Sequence, residues 1–103
     1  MENETSNTDK SSLEPRKPLL HKADVISRFG ECKYSCELTN EPSWFHTILI
    51  KNFSIFIEEW MDEEDAEICS TVFTEGKKNA NGFANTNLVL LLNDIQEFVK
   101  NGT

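Results

Sequence analysis

Trp44-Phe45-His46-Thr47-Ile48-Leu49-Ile50-Lys51-Asn52-Phe53-Ser54-Ile55-Phe56-Ile57-Glu58-Glu59-Trp60 is the densest run of β-branched and aromatic residues in the chain. Two such runs, 45–50 and 53–58, flank Lys51-Asn52, and a pair of strands joined by two residues is a hairpin. With Lys51-Asn52 at its tip, the register places Ile50 opposite Phe53, Ile48 opposite Ile55 and His46 opposite Ile57. Successive side chains in a strand point to opposite faces. One face then carries Trp44, His46, Ile48, Ile50, Phe53, Ile55 and Ile57, and the other carries Phe45, Leu49, Phe56 and Trp60. Both faces are apolar, which is unusual for an antiparallel sheet with water on one side.

Working outward, Lys33–Thr39 alternates with period two, and its Tyr34, Cys36 and Leu38 would face in. Asn40-Glu41-Pro42-Ser43 reads as a turn. Asp62-Glu63-Glu64-Asp65 makes a charged connection, and Ile68–Thr74 is a further strand rich in β-branched residues. Glu75–Gly82 has loop composition. Leu88, Leu91, Leu92, Ile95, Phe98 and Val99 then fall on one stripe at a 3.6-residue period, predicting an amphipathic helix. Thr86 or Asn85 would cap its start, Lys100 suits the dipole in its last turn, and Gly102 suits its end. Upstream, Leu19, Ala23 and Ile26 have helical spacing, but Asp24-Val25-Ile26 would also fit a strand; Gly30 ends the segment in either case. Residues 1–18 are polar, end in Pro15 and Pro18, and read as a disordered tail. The expectation is an α+β fold: a single small domain over 19–103, built as an antiparallel β-meander that forms a curled sheet or partial barrel, with a C-terminal amphipathic helix.

Composition narrows the function classes. Seven Phe and two Trp among 103 residues supply enough apolar surface for a core. The formal charge of −8, from 18 acidic and 10 basic residues, opposes the phosphate neutralisation that drives nucleic-acid binding and attraction to anionic membranes. Basic partners are the ones such a field steers inward. No apolar segment near the N-terminus resembles a secretory signal and no run is long enough to span a bilayer, so a cytoplasmic or nuclear location is expected. An odd count of three cysteines fits reduced thiols there.

No constellation points to catalysis or a cofactor. Cys32, Cys36, His46 and Cys69 offer zinc-ligand chemistry. Yet Cys32 and Cys36 on one strand would stand about 13 Å apart at a 3.3 Å rise per residue, so core or edge thiols are the expectation. Only His21 and His46 exist to activate a nucleophile, and His46 reads as a strand residue with one hydrogen bond. The four glycines are scattered and form no phosphate loop. The acidic run Glu58, Glu59, Asp62, Glu63, Glu64, Asp65 and Glu67 lacks the spacing of an EF-hand loop; it reads as a solvated loop or as a docking rim for a basic partner. Ile55-Phe56-Ile57 followed by acids resembles a strand-adding motif for ubiquitin-like modifiers, and Leu88–Leu92 matches the L-x-x-L-L pattern of groove-binding helices. Each reads first as this protein's own core. The chain is thus expected to be no enzyme and to hold no cofactor or metal.

Surface area gives the functional expectation. One C-terminal helix covers one face of a sheet, and each large apolar side chain left out forgoes about 1.5–3 kcal/mol of burial, more than a surface charge pair at about 0–1 kcal/mol. Contiguous apolar patches mark binding sites. The sequence therefore predicts a protein–protein interaction module, as a homodimer or a subunit of an intracellular complex. Its contact surface would comprise Trp44, Phe45, Phe56 and Trp60, rimmed by Glu58, Glu59, Asp62 and Glu63. The rival is a closed small barrel holding an apolar ligand, or single-stranded nucleic acid stacked on aromatics.

Overall fold

The computed structural model describes residues 17–60 and 66–102. Along the chain run α1 (Lys22–Phe29), β1 (Lys33–Leu38), β2 (Ser43–Ile50), β3 (Phe53–Trp60), β4 (Ile68–Thr74), β5 (Asn81–Asn85) and α2 (Leu88–Asn101). The five strands form one antiparallel sheet in the order β1-β2-β3-β4-β5. This is the α+β meander that the alternation and the terminal stripe predict.

The central hairpin has the register read from the sequence: Ile50 pairs with Phe53, Ile48 with Ile55 and His46 with Ile57. Its two-residue tip puts Lys51 at φ 48, in the left-handed region that a side chain with a Cβ adopts at some cost. The inner face carries Ile48, Ile50, Phe53, Ile55, Ile57, Ile68 and Val72, all buried. Both helices pack on this side. Leu91, Leu92, Ile95 and Val99 of α2 and Leu20 and Val25 at α1 complete the core, with Leu88 and Phe98 partly buried against it. The predicted stripe of α2 is thus the stripe that packs. Val89 and Leu90, which fall off it, are about half exposed (52% and 50%).

Several expectations need correction. The sheet is not closed into a barrel: β1 and β5 are its two edges, so the barrel interior that the rival reading required does not exist. The segment after Pro18 is helical, but its buried residues are Leu20 and Val25, whereas Leu19 and Ile26 are 52% and 42% exposed; the stripe of Leu19, Ala23 and Ile26 faces outward. Helix α2 is capped by Asn87, whose side chain accepts from the Leu90 N–H, rather than by the expected Thr86 or Asn85. Asn85 instead accepts from the Asn87 N–H at 2.8 Å. Residues 81–85 pair with β4 as a strand, although Asn81-Gly82-Phe83-Ala84-Asn85 has little β-propensity. Backbone pairing forms it, and Phe83, edge-on to Phe98 at 5.7 Å, anchors it to α2.

Gly102 ends α2 at φ −88 and donates to the Phe98 carbonyl. Space rather than backbone angle favours glycine there. An added Cβ would stand 3.1 Å from Phe53 Cζ and 3.2 Å from the Phe98 carbonyl oxygen. The tail reading of 1–18, except for Lys17 and Pro18, and the charged connection 62–65 lie outside the described residues.

Candidate functional site

Two features stand out from the packing: an aromatic sheet face that neither described helix covers and a buried polar chain beneath the opposite one.

The outer face follows from strand parity and register. Across β1, β2, β3 and β4 it presents Lys33, Leu49, Ser54 and Phe73 in one row, Ser35, Thr47, Phe56 and Thr71 in the next, and Glu37, Phe45, Glu58 and Cys69 in the third. Phe45 and Phe56 stack with centroids 5.8 Å apart, and Phe56 meets Phe73 edge-on at 5.7 Å. The three rings thus run obliquely across three strands. Leu49 and Phe73 remain 41% and 46% exposed. Both described helices lie on the other side of the sheet. Beyond the rings, Ser43 donates to a Glu58 carboxylate oxygen at 2.8 Å and shares a hydrogen bond with Thr39 at 2.6 Å, fixing Glu58 at the margin of the patch.

Of the residues expected to bind a partner, Phe45, Phe56, Glu58 and Trp60 do share this face, with Trp60 opposite Ser43 at its end. Trp44 pairs with Glu59 and Leu38, on the inner side of the sheet, and so does not join them. Asp62 and Glu63 lie outside the described residues. Leu49 and Phe73 belong to the patch but were not among the expected contacts. The alternation of Ile68–Thr74 carries the signal for Phe73, because inward Ile68, Ser70 and Val72 send Phe73 outward.

Glu59 is the clear correction. Expected on an acidic rim, it is fully buried on the inner face. Alternation continued one step past Ile55 and Ile57 puts it there. Its carboxylate accepts the backbone N–H of Leu19 at 2.9 Å and of Leu20 at 3.2 Å, and it takes His46 Nε2–H at 2.5 Å. His46, also fully buried, meets the Tyr34 hydroxyl through Nδ1 at 2.7 Å, so it makes two hydrogen bonds rather than one. The Tyr34 oxygen lies 3.4 Å from the Leu20 carbonyl. An ionised carboxylate is acceptor-only, so Nε2 must donate to it. With neutral imidazole, Tyr34 donates to Nδ1. With imidazolium, Nδ1–H donates to Tyr34, which then donates to Leu20. Both arrangements pair the two ring nitrogens and the hydroxyl, and only the second also gives the Leu20 carbonyl the phenol proton.

Phenol, imidazole and carboxylate in that order resemble a nucleophile, base and orienting acid. Here, however, the imidazole and carboxylate have no solvent exposure, and the phenol is held in its unreactive form. Burial, first, and then the neighbouring Cys36, Glu59 and Asp24 push the Tyr34 hydroxyl well above its ordinary value of 10.0. The arrangement instead clamps the segment entering α1 onto β2 and β3.

That shift makes a pH prediction. A group neutral in the fold but ionising earlier in the unfolded chain stabilises fully below its unfolded pKa, and the contribution is lost as pH rises. Stability should fall with pH above about 10, and Tyr34→Phe should flatten that slope in urea titrations between about pH 9 and 11.5. Cys32, whose thiol is also pushed up by burial from 9.0, acts alike in both proteins, whereas the Cys36 thiol bonds the Tyr34 hydroxyl, so both proteins are compared in a Cys36→Ala background. Equal slopes would show that the phenol ionises freely in the fold.

The four candidate zinc ligands do not converge. Cys36 and His46 lie on the inner side, whereas Cys69 is on the outer one, and both His46 nitrogens are engaged. No cluster of three metal-binding side chains occurs among the described residues, and no described helix is long and apolar enough to cross a membrane. Comparison of the chain with known protein families, with curated proteins and with solved structures finds no match.

Proposed function

We propose that this chain is a non-enzymatic protein-binding module whose contact surface is the outer face of the sheet, centred on Phe45, Phe56 and Phe73. One observation carries the reading: both described helices pack on the inner face, so among the described residues no layer covers the row of contacting rings and Leu49. Apolar area of this kind is unfavourable in water at roughly 25 cal/mol per Å², and covering it supplies the driving force for association. Glu58, held by Ser43, and Glu37, beside Phe45, give one end of the patch a negative margin that orients what docks.

Phe56→Asp tests the reading, because Phe56 is at the centre of the patch and points away from the core. Its circular dichroism and melting temperature should stay close to those of the parent. The parent should either bind the dye 1-anilinonaphthalene-8-sulfonate on this face or bury the face by association, and the variant should do neither. A parent that neither binds dye nor associates would remove the proposal.

A further inference from the structure

Resting on that reading of the outer face, we infer that its occupant is a second copy of this chain, packed sheet to sheet about a twofold axis running across the strands. The inference comes from how charge and shape are laid out on the face. One end carries Glu37 and Glu58 beside Phe45, and the other carries Lys33 beside Leu49, with Lys51 at the hairpin tip. The row between them, Ser35, Thr47, Phe56 and Thr71, bears no charge.

A dimer with a shared patch must be self-complementary under its axis. An axis along the strands superposes like ends, and Glu58 then meets its own counterpart. An axis across the strands, level with Phe56, exchanges the ends. Lys33 of one copy then lies over Glu37 of the other, twice per dimer, and the two Phe56 rings meet near the axis.

Shape agrees with this choice. Because Ser54 is small, it leaves a groove between Leu49 and Phe73, with Lys51 and Glu75 on its rim. The same axis brings Phe45 and Glu58 of the second copy to that groove. By register the ring lies over Leu49 and the carboxylate over Ser54, where Lys51 on the rim faces it. On β5 the outward residues are Gly82 and Ala84, which offer no bulk to hold the sheets apart. Two sheets stacked in this way lie about 10 Å apart with strands within about 30° of each other, as in a β-sandwich.

Analytical ultracentrifugation of the full chain, with parent and charge variants at several concentrations, tests the inference. The parent should sediment as a concentration-dependent dimer. Lys33→Glu should raise the dissociation constant by at least about tenfold through like-charge contact, and Glu37→Lys should do the same. The double variant, Lys33→Glu with Glu37→Lys, should return it to near the parent value. Phe56→Asp should be monomeric throughout. A dimer indifferent to both single reversals, or not restored by the double, overturns the arrangement. A parent that stays monomeric also overturns it. In that case the dye separates the two ideas: dye binding lost in Phe56→Asp leaves the docking face intact for another partner, and no dye binding removes both.

Discussion

Glu59→Ala is expected to destabilise the domain by about 3–5 kcal/mol, because three donors lose the one acceptor they share. The size follows from what the carboxylate leaves behind. The Leu19 and Leu20 N–H groups and His46 Nε2–H all point at it, within a site where Glu59, His46 and Leu20 have no solvent exposure. Each orphaned buried donor costs about 1–3 kcal/mol. Glu59→Gln keeps the shape and one acceptor oxygen but turns an amide N–H₂ toward existing donors, so a smaller loss of about 1–3 kcal/mol is expected. Urea unfolding followed by Trp fluorescence gives both values. Against a total stability of about 5–15 kcal/mol for a domain, the loss in the alanine variant is large enough to leave a domain at the low end of the range partly unfolded at ambient temperature. A loss below about 1 kcal/mol would mean that water reaches the carboxylate and that the clamp is a surface contact.

Glu59 also shows where the sequence was legible and where it was not. Local patterns gave the hairpin register because alternation and a two-residue tip leave little choice once Ile48, Ile55, His46 and Ile57 must share a face. They gave α2 because its stripe spans nearly four turns. The short α1 has only eight residues, too few for periodicity to separate Leu19 and Ile26 from the buried Leu20 and Val25. Strand β5 was hidden because its pairing is made by backbone, and only Phe83 advertises it. Glu59 was hidden by composition. It sits among acids that invite a solvated reading, and the pairing that rescues it, with His46 and the Leu19–Leu20 backbone, spans up to 40 residues. The outer patch was half legible: Phe45 and Phe56 came from the hairpin itself, whereas Phe73 needed β4 to be placed beside β3.

Leu20→Ala is the companion to the first prediction, with an expected loss of about 2–5 kcal/mol. Leu20 has no exposed surface and lies in the core with Val25 and the inner sheet residues, although it precedes α1 and belongs to no regular element. Its position is set by two forces acting on one residue. The side chain is drawn into the core, and the backbone is tied by its N–H to Glu59. Truncation removes the first and loosens the second, because a segment without its apolar anchor no longer holds its N–H groups on the carboxylate. The two variants should therefore be coupled. In a double-mutant cycle, Leu20→Ala with Glu59→Ala should cost less than the sum of the single losses by about 0.5–3 kcal/mol. Strict additivity would mean that the side chain packs independently of the backbone clamp. The carboxylate would then hold the Leu19 and Leu20 N–H groups whether or not the Leu20 side chain fills the core.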